Sequence, residues 1–225
     1  MIRLDNITLM SIIGSESYLD NTIKAIRYSC KNIEFEKVKL LSNKYIKLDD
    51  IEVIEIEPLD KEKYAEFCIY DLPNYIDTDF CLTVQYDGFV INHNLWKEEF
   101  LSFDYIGAPW LSEPRNNVGN GGFSLRSKKF LQAARTLEYN SKLKFQPYIP
   151  AGELITPEDW FVCNYSYQKM LDMNVKFADI KTAYSFSVEH PSNIKNYDRA
   201  NINTYNSFGF HGNFNTGAMK LLEIQ

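Results

Sequence analysis

The chain has 225 residues, 45% hydrophobic and 24% charged, which is enough apolar material for one α/β core and enough charge for solubility. A net charge of −6 and a pI near 5.2 argue against a general nucleic-acid binder, which needs a basic surface to displace phosphate counterions. No apolar run approaches the roughly 18 residues of a membrane span, and Cys30, Cys68, Cys81 and Cys163 form no Cys-x-x-Cys pair, so neither a bilayer span nor a zinc or disulfide frame is expected.

Ile7 to Ile13 is a short apolar run closed by Gly14, as expected of a buried parallel strand. Residues 18–30 then place Leu19, Ile23, Ile26 and Cys30 at helical spacing. Strands are predicted over Glu36–Leu41 and Ile51–Ile56, the latter stopped by Pro58, so the opening reads as a βαβ unit. A helix over Lys61–Tyr70 precedes a strand over Phe80–Asp87 that runs straight into Gly88. Trp96–Phe100 is predicted helical, Tyr105–Trp110 extended and 111–122 a loop, after which Ser127 caps a helix bearing Phe130, Leu131, Ala134 and Leu137. Thr156 and Pro157 open a late helix with Trp160, Cys163, Tyr167, Met170 and Leu171 on its apolar face. Beyond Ile180 the tail is polar and irregular as far as Phe208–Gly212. No repeat or linker divides the chain, and its opening residues lack a basic-then-apolar leader pattern. A single cytoplasmic domain with reduced thiols is expected. Of the 15 Tyr, 15 Phe and 3 Trp, most are expected in the core, although such rings also stack on bases and sugars.

Four segments carry residues suited to chemistry. Gln85-Tyr86-Asp87-Gly88 puts an acid at the C-terminal end of a sheet strand, where open α/β sheets bind ligands. Gly88 would let a phosphate or metal approach the backbone there, and an Asp-Gly turn at a strand end is the structural alternative. Gly119-Asn-Gly121-Gly122 frees the backbone for a ligand ahead of a helix N-terminus. Its tight run into Phe123-Ser-Leu-Arg126 favours an ordered loop over a flexible connector. Glu158-Asp159 offers a general base, but acids in a first helical turn stabilise the helix without catalysis, and spacing alone favours that simpler role. His211 lies between glycines, as a metal or phosphate ligand would, yet His93 and His190 are equally available and a lone histidine is more often structural. No Walker loop, Gly-x-Ser-x-Gly or His-Glu-x-x-His is present.

The run Tyr75–Asn92 with its Gln-Tyr-Asp-Gly, then Trp96, Phe103-Asp-Tyr-Ile-Gly-Ala-Pro-Trp110, Val118–Ser127, Pro157-Glu-Asp159 and the late Phe-His-Gly resembles a domain-of-unknown-function family grouped with GT-A glycosyltransferases. The match covers roughly residues 70–215. It implies a GT-A fold, a Rossmann-like mixed, mostly parallel sheet flanked by helices. Residues 1–92 would form the nucleotide-binding half and residues 93–225 the acceptor and catalytic half. By the resemblance Asp87 contacts the metal and the donor diphosphate, within a donor site of Gln85, Tyr86, Asp87 and Gly88. Gly121 and Gly122 lie beside the donor sugar. Asp159, with Glu158 beside it, supplies the base of an inverting transfer, and His211 completes a Mn2+ or Mg2+ site. The implied substrates are a nucleotide-sugar and a glycan or other hydroxyl acceptor. Apart from the resemblance, Arg126 offers a cation for phosphate, with a salt bridge or a helix-start contact as equal alternatives. Gln85 departs from the acid-x-acid pattern, and a neutral amide binds metal more weakly than a carboxylate. Two other readings share the architecture: a non-catalytic nucleotide-sugar or glycan-binding module, and a sugar nucleotidyltransferase. The latter normally carries a basic Gly-rich loop after the first strand, whereas Ile13–Tyr18 has no Lys or Arg.

Overall fold

The computed structural model describes residues 1–110, 113, 115–143, 155–190 and 196–223. The first apolar run builds a strand longer than its motif, β1 (Ile2–Ile13), which buries residues on both faces and changes register between Leu4 and Thr8. A short 3-10 turn at Glu16–Tyr18 leads into α1 (Leu19–Cys30), followed by β2 (Ile33–Ser42) and β3 (Glu52–Glu55). The predicted Lys61–Tyr70 helix is real but changes pitch. Asp60 caps α2 (Lys61–Glu66), Phe67–Asp71 widens to a π-helix, and Leu72–Tyr75 tightens to 3-10 geometry where Pro73 removes a donor.

After β4 (Phe80–Thr83), the predicted Trp96–Phe100 helix resolves into two 3-10 turns, His93–Leu95 and Glu98–Ser102. Next come β5 (Tyr105–Gly107) and β6 (Ser124–Ser127), then α3 (Lys128–Ala134), capped by Ser127 as expected. The late helix breaks into α4 (Glu158–Trp160), a π-helical stretch Phe161–Tyr165, and α5 (Tyr167–Asp172). Thr156 does not cap it, because its hydroxyl accepts the Leu143 N–H instead. The tail holds more order than its polarity implies: α6 (Ile180–Phe186), β7 (Ser187–Val188), β8 (Gly209–Phe210) and α7 (Thr216–Met219). Residues 111, 112 and 114 of the expected loop and 191–195 of the expected irregular tail lie outside the described residues.

Six strands form one sheet in the order β3-β2-β1-β4-β6-β5. The first four run parallel, while β6 lies antiparallel to both β4 and β5. Side chains alternate across a strand, so Ile7, Leu9 and Ile13 of β1 enter one core with Leu19 and Ile26 of α1. Met10 and Ile12 enter the other, with Phe130 and Leu131 of α3. Each fully buried Ile or Leu contributes roughly 1.5–3 kcal/mol. That burial on both faces holds helices as short as α2 and α3, which propensity alone would not. The parallel strands β1 and β4 both end on one edge of the sheet, and the cleft opens there.

Candidate functional site

The Gln85–Gly88 segment leaves β4 earlier than its apolar pattern predicts. Gln85 N–H donates to the Gly88 carbonyl at 2.8 Å and Gly88 N–H returns a bond to the Gln85 carbonyl at 3.0 Å. That reciprocal pair closes a tight turn, so the predicted strand to Asp87 stops at Thr83. The turn is clamped from the far end of the chain. Gly212 N–H donates to the Asp87 carbonyl at 2.8 Å, and Asn213 N–H bonds the Asp87 carboxylate. Burial pushes the Asp87 pKa up, partly opposed by His211 and by the backbone N–H groups of Asp87 itself and Asn213. Gln85 Nε2 donates to the Tyr64 hydroxyl at 3.0 Å, and Tyr86 stacks on Tyr18 with centroids 4.6 Å apart.

Gly121 and Gly122 are required by crowding, since neither has a positive φ. A Cβ on Gly121 would lie 2.8 Å from Arg126 Nη2, 2.9 Å from Glu158 Oε1 and 3.0 Å from Asp159 Cβ. One on Gly122 would collide with the His211 imidazole and sit 2.9 Å from Gln85 Oε1. A Cβ on Gly88 would also meet that imidazole, 2.9 Å from His211 Cδ2. The loop is ordered: Gly122 N–H donates to Asn120 Oδ1 at 3.1 Å and the Thr83 hydroxyl donates to the Gly121 carbonyl at 3.1 Å.

Arg126 on β6 lies beneath this loop and is 4% exposed. Its Nη2 donates to Glu158 Oε1 at 3.1 Å and to the Gly121 carbonyl at 3.2 Å, while Nε donates to Ser124 Oγ at 3.0 Å. Arg126 thus forms a salt bridge with Glu158. Asp159 accepts from Gly121 N–H at 2.8 Å and from Trp160 N–H at 2.7 Å. Burial and then the adjacent Glu158 charge push its pKa up to about 7, against the pull of those two donors and of Arg126. Asp159 and Glu158 thus do more than stabilise a first helical turn, because both reach the glycine loop.

His211 follows β8 just as Glu189 follows the parallel strand β7. Its Nδ1 lies 3.2 Å from Glu189 Oε1, with side-chain exposures of 18% and 12%. Burial pulls the His211 pKa down, but Glu189, Asp87 and Asp159 together overcome it and leave the pKa above the ordinary histidine value. His93 is placed elsewhere, 3.4 Å from Asn32, and His190 stacks on Phe214.

A cavity of about 430 Å3 opens beside these groups, lined among others by Gly14, Tyr18, Tyr64, Gln85, Tyr86 and Glu158. That volume lies within the roughly 300–1,000 Å3 usual for ligand pockets. Among the described residues no three His, Cys, Asp or Glu side chains converge as a preformed cation cage. Asp87 and His211 lie near enough for each charge to shift the pKa of the other, and a carboxylate with an imidazole is by donor type compatible with a divalent ion that substrate phosphates help to hold.

Glu189, Tyr64 and Tyr18 were not legible as site residues. Glu189 sits in Ser-Val-Glu-His, whose only cue is the short β-prone pair before it, and Tyr64 and Tyr18 are two of 15 tyrosines.

The search of solved structures finds a crystal structure of a glycosyltransferase involved in the glycosylation of the major capsid of PBCV-1. It is similar over 97% of this chain and 99% of that one, at 13% identity and TM-score 0.52. An active-site mutant of LgtC aligns over 91% of this chain and 86% of that one, at 14% identity and TM-score 0.46. The first likeness, with the sheet order above, shows a GT-A glycosyltransferase fold and reaches no further than the fold. No curated protein matches the chain. Among the described residues no helix is long and apolar enough to cross a membrane. Residues 60–211, which hold the Gln85–Gly88 turn, the glycine loop, the acidic pair and His211, match one family model, and the chain belongs to that family, described as Protein of unknown function (DUF5672).

Proposed function

We propose that the protein transfers a sugar from a nucleotide-sugar to a hydroxyl of a glycan or other acceptor, with inversion and with Mg2+ or Mn2+ at the diphosphate. The observation that carries this reading is the convergence of Asp87, Asp159 and His211 around Gly121–Gly122, beside a ligand-sized cavity. The cavity suits the nucleoside, with the stacked Tyr18 and Tyr86 supplying an aromatic wall. Residues 1–92 contribute most of that wall, and residues 93–225 the base and the acceptor side.

The charge balance favours a cation. Carboxyl groups of Asp87, Glu158, Asp159 and Glu189 face one guanidinium, already paired, the His211 imidazole and, 3.9 Å from Glu189, that of His190. A diphosphate entering that set needs further positive charge. Asp87 and His211 would hold the ion, with the neutral Gln85 adding at most a carbonyl oxygen. When bound, a divalent ion acts as a Lewis acid on the leaving diphosphate.

Asp159 accepts the proton of the acceptor hydroxyl, and its oxygen attacks the anomeric carbon as the diphosphate leaves on the opposite face. A base with a pKa near neutrality is well matched to that task. Glu158 stays on Arg126 and keeps the negative charge that raises Asp159. The test is Asp159→Asn, expected to lower transfer by about 10²–10⁴-fold while nucleotide-sugar binding is retained. Undiminished turnover would remove Asp159 as the base. The bond that ties Gln85 to Tyr64 favours a second reading, a donor-binding module without turnover. Hydrolysis of a nucleotide-sugar in Mn2+ by the wild-type protein would rule it out.

A further inference from the structure

His211 has two ring nitrogens, and the fold treats them differently. Nδ1 meets Glu189 at 3.2 Å, whereas the Nε2 edge packs on the glycine loop so closely that a side chain on Gly122 would strike it. Glu189 is placed to do this by the pairing of β7 with β8. Ser187 pairs with Gly209 and Val188 with Phe210, so the next residues, Glu189 and His211, leave the two strands at matching positions. His211 N–H donates to the Val188 carbonyl at 2.9 Å. The buried Asn215 then ties both ends, its Nδ2 donating to the His211 carbonyl at 2.7 Å and the Glu189 carbonyl at 3.3 Å. A two-stranded ribbon and one asparagine thus hold Glu189 Oε1 against His211 Nδ1, while Oε2 lies a longer 3.9 Å from Nε2 of the more exposed His190. A carboxylate on the far nitrogen of a metal-binding histidine fixes its tautomer and raises its basicity.

We infer that Glu189 is the positioning residue of the cation site: it keeps the His211 proton on Nδ1 and presents the Nε2 lone pair to the ion that the donor diphosphate helps to hold. The inference rests on the metal-assisted reading above. Glu189 itself touches neither donor nor ion.

Two measurements on the full chain test it, neither of them an activity. The first is the tautomer of His211 by 15N–1H NMR of histidine-labelled protein, at a pH where its imidazoles are neutral. Only three histidines contribute, and His211→Ala assigns the signal. The second is Mn2+ affinity in the presence of inorganic pyrophosphate, followed by Mn2+ EPR. The wild type is expected to show the Nδ1–H form and to bind Mn2+ with pyrophosphate. Glu189→Ala is expected to lose that tautomer preference and to bind Mn2+ about 10–100-fold more weakly. Glu189→Gln keeps the shape and an acceptor oxygen without the charge, so it should hold the tautomer and lose at least about threefold in affinity. It carries the test if the alanine variant does not fold. An Nε2–H tautomer in the wild type, or wild-type Mn2+ affinity in the variants, overturns the inference. A wild type that shows the Glu189-dependent tautomer but binds no Mn2+ with pyrophosphate sinks the metal reading instead and leaves Glu189 as the residue that orients His211.

Discussion

Two walls enclose the Gly121–Gly122 loop, and both pair a carboxylate on one element with a basic side chain on another. On one wall Glu158 meets Arg126 at 3.1 Å, and on the other Glu189 meets His211 at 3.2 Å. The difference lies in the base. A guanidinium keeps its charge at every pH the protein survives, and this one donates to Glu158, the Gly121 carbonyl and Ser124. It sets the shape of the loop. An imidazole held at one nitrogen still offers the other. The first wall is a fixed ion pair, and in the proposed function the second meets the ligand; substitutions should separate them.

The largest effect is expected at the first wall. Arg126→Met leaves the Glu158 carboxylate buried without its partner and removes one of the donors to the Gly121 carbonyl, a cost of about 3–5 kcal/mol. Chemical denaturation should show it, and adding Glu158→Gln should recover much of the loss, because the uncompensated charge goes with it. Equal instability of the single and double variants would mean that the pair is not what holds this wall.

A substitution between the walls should give a middling effect. Gly122→Ala drives a methyl into the His211 ring, costing about 1–3 kcal/mol of stability, and it should weaken Mn2+ binding in pyrophosphate along with it. Unchanged stability and Mn2+ binding would show that His211 moves aside freely and that the second wall is soft.

The smallest effect is a shift in pH dependence. Asp159 must be ionised to act as a base, so kcat/KM should climb as pH rises toward about 7 and level off above it. Glu158→Gln removes a neighbouring negative charge that favours the protonated form and frees Arg126, and both changes move the break to lower pH. A break that stays in place or moves up would contradict the assignment of Asp159.

How far all this was legible follows from what each segment spends its side chains on. In β1, α1 and β2 apolar groups recur at the period of the element, so the opening βαβ unit could be read directly, with ends misplaced by a few residues. Ser124–Ser127 could not: β6 alternates no apolar and polar residues, and its arginine is buried only because Glu158 waits 32 positions along the chain. The Gln85–Gly88 turn was open as an Asp-Gly turn at a strand end but was misplaced, because Phe80–Val84 makes a convincing strand and nothing local reports the Gln85–Gly88 hydrogen bonds. Residue types were easier to read than their geometry. Asp87, the glycine pair, Glu158, Asp159 and His211 were each visible as types, and the resemblance set them in order. Glu189 was not, because its role depends on the pairing of two-residue strands that no periodicity can announce.

The central claim is that the cleft between these walls takes a nucleotide-sugar with a divalent ion. A thermal-shift screen of UDP-, GDP-, TDP- and CMP-sugars, each with and without Mn2+, tests it most directly. One nucleoside-diphosphate-sugar class at about 100 times its Kd should raise Tm by about 5–10 °C, and by more with Mn2+ than without. No shift from any member in either condition would contradict the claim, and an equal shift with and without Mn2+ would contradict its metal part.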